Sequence, residues 1–294
     1  MKPKVTIGMC LKNVEDTVYD AVNSVLAQDF PCELIELIVV DGQSTDRTLK
    51  VVKDILAESN VESIILRENK GLGFARQMVV ENATGDYIVW VDGDMILPKD
   101  FVRRQVEFIE QNPKVGIASA RHGILPGVRL VALLEDVAYI AVEHKFRGSA
   151  SSRFPGTAGS IFRTKAIRQV GGFDPYIRGA GEDFEASYRV REAGWLIHIG
   201  TDAFFFEKRK ENWKRLWDHY FWYGSSSYEV NIKLGFGTHL LGLNPIAGFF
   251  AGVWYSIIAY KLFNKKMVFL LPFHYAFKRI AWMCGFIKKQ MSKT

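Results

Sequence analysis

The sequence predicts an α/β protein built around a mostly parallel, Rossmann-like β-sheet. Short apolar runs alternate with helical periodicities through the first two thirds of the chain, and this alternation is typical of βαβ units. The run 87–91 is apolar throughout, as expected for a parallel strand that is buried on both faces. It leads into Asp92-Gly93-Asp94, at the end of the strand where open α/β sheets bind ligands.

Each predicted strand is a short apolar run that ends at a turn signal. In chain order these runs are 5–10, 34–40, 61–66, 87–91 and 115–120, with a further short strand after the Gly-rich turn 154–160. The second strand ends in Asp41-Gly42-Gln43-Ser44-Thr45-Asp46, which places polar side chains at the carboxyl edge of the sheet.

The predicted helices fill the gaps between these strands. Apolar residues recur with a helical period in 17–27, and Ser44 or Thr45 is suited to cap a helix that runs to about Glu58. Further helices are predicted after Gly71-Leu72-Gly73, from Pro98 to about Glu110, over 130–142, and from Gly181 to about Ala193. Residues 144–153 are basic and rich in Ser and are predicted as a loop.

The composition is that of a globular protein with a basic C-terminal third. Hydrophobic residues make up 48% and charged residues 24% of the 294, and the formal net charge is +6. The segment from Ala203 onward holds 14 of the 38 Lys and Arg residues but 4 of the 32 acidic ones. A basic, aromatic segment of this kind indicates a surface for anionic lipid or phosphate, and we find no nucleic-acid-binding motif.

The cysteines and the N-terminus favour a reducing compartment. Cys10, Cys32 and Cys284 are far apart and match neither a metal site nor a disulfide framework. The polar start Met1-Lys2-Pro3-Lys4 runs directly into a predicted strand and lacks the apolar region of a signal peptide.

Asp92 and Asp94 are the first candidates for chemistry. Side chains two residues apart on an extended segment point to the same side, so the two carboxylates are predicted to share one ion. Two carboxylates combined with substrate phosphates suit Mg²⁺ or Mn²⁺. The alternative is a polar turn that ends a strand, because Asp-Gly is a common turn pair.

Four motifs together carry a family resemblance. They are 41–46, 69–76, Asp92-Gly93-Asp94 and Gly181-Glu182-Asp183, in this order and at this rough spacing. The stretch 4–205 thereby resembles the family two inverting glycosyltransferases, which have the GT-A fold. Within that family the chain looks most like membrane-bound members, the dolichyl-phosphate-mannose synthases and the cellulose-synthase-like enzymes.

The resemblance implies a role for each motif. A divalent cation, Mn²⁺ or Mg²⁺, is expected on Asp92 and Asp94, where it would stabilise the departing diphosphate. Asp183 matches the catalytic base, and Glu182 is expected to orient it. The expected nucleotide-binding residues are Asp41, Asp46, Gly71, Arg76 and Asp92.

Three of these assignments have structural alternatives. The carboxylates at the start of the predicted helix after Gly181 also suit its positive dipole end without any catalytic role. Arg76 is otherwise a surface arginine on a helix. The basic residues Lys145, Arg147 and Arg153 either close over phosphates or form an ordinary solvated loop.

The C-terminal third is predicted to meet a membrane. Residues 211–233 form an aromatic amphipathic segment suited to an interface, and Leu234 to Tyr260 is uncharged and long enough to span a bilayer. A second stretch, 267–287, is interrupted by Lys278-Arg279, so it either completes a transmembrane hairpin or lies along the surface. We expect a GT-A domain over 1–210, an interface helix over 211–233 and a membrane hairpin over 234–294.

The predicted function is transfer of one sugar, with inversion, to a lipid acceptor, a polyprenyl or dolichyl phosphate that is either free or already glycosylated. GDP-mannose is the expected donor, and the cytoplasmic face of the cell membrane is the expected location. One alternative is a polysaccharide synthase that uses a UDP-sugar. The cellulose-synthase-like enzymes carry a Gln-x-x-Arg-Trp motif, and the comparable stretch 218–222 keeps only its Trp, as Trp222. The incomplete motif disfavours the polysaccharide synthase. The second alternative is a non-catalytic, membrane-anchored module that binds sugar nucleotides.

Overall fold

The computed structural model describes residues 3–148, 154–233 and 244–292. They fall into two compact units. The first comprises Met1–Gly123, Phe146–Arg178 and Glu182–Lys208, and it contains every strand described below. The second comprises Ile124–Lys145, Gly179–Gly181 and Arg209–Thr294, and its described regular elements are helices.

The first unit is organised by one eight-stranded sheet. Its strands are β1 (Val5–Leu11), β2 (Ile35–Asp41), β3 (Glu62–Arg67), β4 (Tyr87–Trp90), β5 (Met95–Ile96), β6 (Val115–His122), β7 (Ser160–Arg163) and β8 (Leu196–Glu207). Their order across the sheet is β3-β2-β1-β4-β7-β6-β8-β5. Strands β1 to β4 pair in parallel, and so do β6 and β8. Strand β7 is antiparallel to both of its neighbours, and β5 is antiparallel to β8. The predicted mostly parallel α/β sheet is therefore confirmed.

Ten α-helices complete the described parts of the chain. They are α1 (Val18–Leu26), α2 (Thr48–Leu56), α3 (Leu72–Asn82), α4 (Phe101–Gln111), α5 (Leu130–Phe146), α6 (Thr164–Gln169), α7 (Glu182–Glu192), α8 (Trp213–Lys233), α9 (Pro245–Phe263) and α10 (Leu271–Met291). Most lie within a few residues of their predicted positions, because the periodically spaced apolar residues that predicted them are the residues that pack against the rest of the protein.

Apolar side chains pack on both faces of the sheet. On β2, Leu37 and Val39 belong to one buried cluster, and the alternating residues Ile38 and Val40 belong to a second one. Since successive side chains of a strand point to opposite faces, the sheet is covered on both sides. This explains why the central strands read as uninterrupted apolar runs.

A buried carboxylate ties three segments together near the amino ends of the central strands. Glu36 accepts a hydrogen bond from the hydroxyl of Thr6, and its Oε2 accepts one from the Thr84 hydroxyl at 2.6 Å. The ammonium of Lys4 lies 3.5 Å from the same Oε2. Desolvation works to raise the pKa of Glu36, but these hydrogen bonds and Lys4 outweigh it and lower that pKa below its usual value.

Two predicted boundaries need correction. Helix α5 continues through Phe146, so His144, Lys145 and Phe146 are helical rather than part of a loop. Residues 149–153, which include Arg153, lie outside the described residues. Helix α4 begins at Phe101 rather than at Pro98, whose carbonyl accepts a hydrogen bond from Phe101 N at 3.1 Å.

The second unit packs α8, α9 and α10 with α5. One apolar cluster joins Leu134 and Ala138 of α5 to Ala259 of α9 and Leu271 of α10. Polar groups are buried as well, since Glu135 Oε2 lies 2.8 Å from Lys278 Nζ and 3.1 Å from His274 Nε2. Lys278, one of the two basic residues that interrupt the second apolar stretch, therefore has a protein partner.

The predicted transmembrane segments are only partly described. Residues 234–243 of the first one lie outside the described residues. Asn244 caps the start of α9, since its Oδ1 accepts a hydrogen bond from Ile246 N at 2.8 Å, and Pro245 is the first residue of the helix. Within the described chain, Pro245–Phe263 alone combines the length and hydropathy needed to cross a bilayer, which by itself is weak evidence for a membrane span.

Candidate active site

Asp41 lies at the carboxyl end of β2, as predicted. Its carboxylate is buried, accepts a hydrogen bond from Ser44 N at 3.1 Å and pairs with Arg67 Nε at 3.2 Å. These contacts hold the 41–44 turn in place and fix the orientation of the side chain. Contact between Asp41 and a nucleotide stays a prediction.

Asp46 has a structural role that the sequence did not reveal. Its side chain accepts hydrogen bonds from Thr48 N at 2.9 Å and from Glu15 N at 3.2 Å, and so ties the start of α2 to the loop after β1. Desolvation acts to raise the pKa of Asp46, but these hydrogen bonds prevail and lower it. A contact between Asp46 and a nucleotide stays a prediction.

Asp92 and Asp94 lie in a turn rather than on an extended strand. Strand β4 ends at Trp90, and the turn closes with Met95 N donating to Asp92 O at 3.1 Å. The turn is anchored from outside, because Thr17 Oγ1 donates to Gly93 O at 2.7 Å and Lys208 N donates to Asp94 O at 2.8 Å. The argument from extended geometry therefore does not apply, although both carboxylates do follow β4.

The residues of this turn fit a weakly coordinated divalent cation. Among the residues that the structure describes, no three His, Cys, Asp or Glu side chains cluster as a metal site would require. Asp92, whose side chain is 39% exposed, and Asp94 instead offer two carboxylates. Mg²⁺ is commonly held by one or two carboxylates together with substrate phosphates and water, so this donor set suits a cation that binds with its substrate.

Arg76 is a buried arginine that joins two of the predicted motifs. Its guanidinium forms an ion pair with Glu182, and it lies 3.9 Å from Asp92 Oδ1. The side chains of Arg76 and Glu182 are 7% and 1% exposed, so the alternative of a surface arginine is wrong. Within the described residues, neither oxygen of Glu182 has a hydrogen-bonding partner in addition to this ion pair.

Asp183 lies in the first turn of α7, next to the Gly-rich turn 154–160. A Cβ atom at Gly156 would lie 3.2 Å from Asp183 Oδ2, and Asp183 Oδ1 accepts a hydrogen bond from Phe184 N at 2.7 Å. Since Gly156 has no side chain, one oxygen of the carboxylate remains open on this side. A partly buried carboxylate with an open approach is a suitable proton acceptor.

Gly71 and Gly73 pack against a loop that sequence analysis did not single out. A Cβ atom at Gly71 would lie 2.5 Å from the carbonyl oxygen of Arg178, and one at Gly73 would lie 2.3 Å from that of Asp174. Gly71 also has a φ of +116°, which disfavours any other residue. The start of α3 therefore holds the segment that leads to Glu182. A contact of Gly71 with a nucleotide remains a prediction.

The other candidates near the site have defined surroundings. Desolvation raises the pKa of the Cys10 thiol to about 12, so it is not a nucleophile at neutral pH. Arg147 Nη2 pairs with Asp202 Oδ1 at 3.3 Å, and Arg121 pairs with the same oxygen at 3.0 Å. Two arginines thus share one carboxylate. A contact of Arg147 with a phosphate stays a prediction.

Comparison with known proteins agrees with this geometry. The profile described as "Glycosyl transferase family 2" matches residues 6–171. A "Putative glycosyltransferase EpsE" from Bacillus subtilis is 28% identical over 69% of this chain and 75% of its own length. A "Poly-beta-1,6-N-acetyl-D-glucosamine synthase" from Staphylococcus aureus is 23% identical over 80% of this chain, which spans 57% of that protein's length.

Solved structures show the same fold. A mannosyltransferase from Pyrobaculum calidifontis, in complex with GDP-Man and Mn²⁺, superposes with a TM-score of 0.67 and 17% identity over 100% of this chain and 89% of its own. TarS residues 1–349 from S. aureus, in complex with UDP-GlcNAc, give a TM-score of 0.53 and 16% identity over 98% of this chain and 92% of their own. At these identities the likeness concerns the fold, and it confirms the predicted GT-A fold. Because the profile match covers more than half of the chain, this protein belongs to glycosyl transferase family 2.

Proposed function

We propose that the protein is an inverting glycosyltransferase in which Asp183 is the general base and Asp92 and Asp94 hold the divalent cation. The observation that carries the proposal is the position of Arg76. Its guanidinium connects the carboxylate after β4 with Glu182, the residue next to Asp183. A donor held at Asp92 and an acceptor held at Asp183 would thereby be supported by one rigid set of contacts.

The proposed reaction is a single displacement. Asp183 accepts the proton of an acceptor hydroxyl while that oxygen forms a bond to the anomeric carbon of the donor sugar. The bond from this carbon to the diphosphate oxygen breaks, and the nucleoside diphosphate leaves with the electron pair. A cation held by Asp92 and Asp94 would neutralise charge on the diphosphate. Because attack occurs opposite the leaving group, the anomeric configuration inverts.

The proposed donor is GDP-mannose, with UDP-N-acetylglucosamine as the second candidate. The P. calidifontis mannosyltransferase, which has the higher TM-score of the two solved structures, was determined with GDP-Man and Mn²⁺. The S. aureus TarS structure contains UDP-GlcNAc, and a poly-N-acetylglucosamine synthase is among the relatives. Neither relationship exceeds 23% identity, so a direct measurement has to choose between the two donors.

The proposed acceptor is a hydroxyl group of a sugar that is already linked to a polyprenyl or dolichyl phosphate. A phosphate monoester has a second pKa of about 6 and is mostly dianionic at pH 7. Its oxygens then carry no proton for a base to remove, whereas a sugar hydroxyl does carry one. The presence of Asp183 at the site therefore favours a glycosylated lipid over a free lipid phosphate. The exposed apolar surface of α9 supports a lipid-linked acceptor at a membrane.

The alternative of another class is a membrane-anchored module that binds sugar nucleotides without catalysis. Such a module has no need for a carboxylate with an open oxygen beside Gly156. The family membership and the retained Asp183 both favour the enzyme.

The experiment is a transfer assay with the full-length protein in detergent. Labelled GDP-mannose and labelled UDP-N-acetylglucosamine are each incubated with a polyprenyl phosphate that carries one sugar, and the label is followed into the organic phase. We expect transfer from GDP-mannose, and loss of it in Asp183→Asn. Transfer to a water-soluble sugar at an equal rate would refute the lipid-linked acceptor, and exclusive use of the UDP-sugar would favour the second donor.

A further inference from the structure

The outer surface of α9 is apolar and exposed over the length of the helix. Its buried residues are small ones, Gly248, Gly252, Ser256 and Ala259. Its large exposed side chains include Ile246, Phe250, Val253, Trp254, Ile257 and Tyr260. No charged residue occurs between Pro245 and Tyr260. A helix that is apolar all round and buried along one narrow stripe is typical of a lipid environment.

The helices before and after α9 touch each other through their backbones. A Cβ atom at Gly224 of α8 would lie 1.8 Å from the carbonyl oxygen of Trp282 in α10. A Cβ atom at Gly285 of α10 would lie 2.0 Å from the carbonyl oxygen of Phe221 in α8. Helix α8 precedes α9 in the chain and α10 follows it. If α9 alone crossed a bilayer, α8 and α10 would therefore lie on opposite sides of it. Their direct contact excludes that arrangement.

Neither α8 nor α10 is suited to cross a bilayer together with α9. Helix α8 carries Lys214, Arg215 and Asp218 in its first two turns and Glu229 further along. Helix α10 carries Lys278 and Arg279 near its middle, and the buried Lys278 is paired with Glu135 of α5 at 2.8 Å. Charged side chains within a spanning helix are costly, and in the described chain α9 alone has the required hydropathy.

Lysines flank the hairpin of α9 and α10 at both ends. The two helices are antiparallel, since Gly248 lies against Arg279 and Gly252 lies against Pro272. Lys261, Lys265 and Lys266 therefore stand at one end of the hairpin, and Lys288 and Lys289 stand at the other. In a hairpin that crossed the membrane, the two groups of lysines would face opposite compartments.

We propose that α9 lies in one leaflet of an anionic membrane and anchors the protein from one side without crossing. In this orientation both lysine groups reach the head groups of the same surface, where each contributes to binding. The exposed apolar residues of α10, among them Phe273, Ile280 and Ile287, enlarge the apolar surface that faces the lipid in this orientation. The inference extends the membrane part of the proposed function and does not depend on the donor or on Asp183.

The test is the sidedness of two cysteines in inverted membrane vesicles from cells that express the full-length protein. All variants carry Cys284→Ala. Two of them also carry Cys32→Ala, and each of these two has one new cysteine, Lys266→Cys or Lys288→Cys. The exposed native Cys32 of the first unit is kept in a third variant to mark the side of the catalytic unit. A membrane-impermeant maleimide is added before and after permeabilisation. We expect all three cysteines to react fully before permeabilisation.

Two outcomes would overturn the proposal. If Lys266→Cys or Lys288→Cys reacts only after permeabilisation while Cys32 reacts before it, the hairpin crosses the membrane. If the protein stays in the soluble fraction when the membranes are sedimented, α9 does not serve as an anchor. Sugar transfer is measured separately on the same variants, so a failure of the proposed enzyme function does not affect this result.

A second measurement tests the lysines. Binding of the full-length protein to vesicles of phosphatidylcholine with phosphatidylglycerol is compared for Lys265→Gln/Lys266→Gln and Lys288→Gln/Lys289→Gln. Since one basic residue near an anionic surface is worth about five-fold in affinity, each double variant is expected to bind about 30-fold more weakly. On vesicles of phosphatidylcholine alone the variants should match the original protein. An effect confined to one of the two pairs would contradict the flat orientation.

Discussion

The guanidinium of Arg76 forms a buried ion pair with the carboxylate of Glu182. The two residues are more than 100 positions apart in the sequence, and both side chains are almost completely removed from water. Arg76 belongs to α3 and Glu182 begins α7, so the pair fixes the start of the helix that carries Asp183. Within the described chain the carboxylate of Glu182 accepts no further hydrogen bond. Loss of either member of the pair should therefore lower the stability of the fold.

The first prediction concerns this pair. Arg76→Gln leaves a buried carboxylate without its cation and should lower the free energy of unfolding by about 3–5 kcal/mol. In the double variant Arg76→Gln/Glu182→Gln both groups are neutral, so the loss should be smaller than in Arg76→Gln alone. Urea unfolding of both variants measures this coupling. The control is Arg103→Gln, whose pair with Asp29 is about 40% exposed and should cost about 0–1 kcal/mol. A double variant that loses as much stability as Arg76→Gln alone, or more, would contradict the coupling.

Sequence patterns predicted the local structure well because local structure has local causes. A strand in the apolar run 87–91 and the polar turn after Asp41 were predicted from a few adjacent residues and were found. Strand β8 was not predicted. Its alternating residues are interrupted by Gly200 and Thr201, which hides a twelve-residue strand. The Asp92–Asp94 turn was misjudged because the end of an apolar run does not show where the extended backbone stops.

The contacts that build the site could not be predicted in the same way. Burial of Arg76 depends on Glu182, and the burial of Lys278 depends on Glu135, which is 143 residues away. No periodicity relates such positions. The Gly71-Leu72-Gly73 motif was visible, but its packing against the 174–178 loop was not predicted, because that loop has no sequence signal of its own.

The second prediction concerns the cation. Asp94→Asn removes one of the two carboxylates after β4, so transfer activity should fall to a small fraction while the melting temperature stays within a few degrees. Chelation with EDTA should abolish transfer, and added Mn²⁺ or Mg²⁺ should restore it. The control is Asp100→Asn, which changes a carboxylate that pairs with Arg104 at the start of α4. Full turnover in EDTA would exclude a role for a divalent cation.

The third prediction concerns stability rather than catalysis. Glu36→Gln removes the charge that accepts hydrogen bonds from Thr6 and Thr84 and should cost about 1–3 kcal/mol at neutral pH. The matched control is Glu62→Gln, because Glu62 pairs with the same Lys4 but is 69% exposed. Its cost should be about 0–1 kcal/mol. Chemical denaturation of the two variants gives both values.

The pH dependence of that difference follows from the lowered pKa of Glu36. A carboxylate whose pKa is lower in the folded state stabilises the protein above its unfolded-state pKa and loses this effect as the pH falls through the folded-state pKa. The difference in unfolding free energy between the original protein and Glu36→Gln should therefore shrink in acid. A difference that stays constant down to pH 3 would show that the ionised form of Glu36 is not the stabilising species.

The fourth prediction concerns Asp183 as the base. Asp183→Asn keeps the shape of the side chain and the oxygen that accepts from Phe184 N, but it cannot accept a proton. Donor and cation should bind with nearly unchanged affinity, and the turnover number should fall by about 10²- to 10⁴-fold. Glu192→Gln, an exposed change at the end of the same helix, serves as the control and should leave turnover unchanged. Calorimetric titration with donor, combined with the initial rate of transfer, separates the two effects. If Asp183→Asn instead weakens donor binding and keeps its turnover number, the residue belongs to the donor site and the base has to be sought elsewhere.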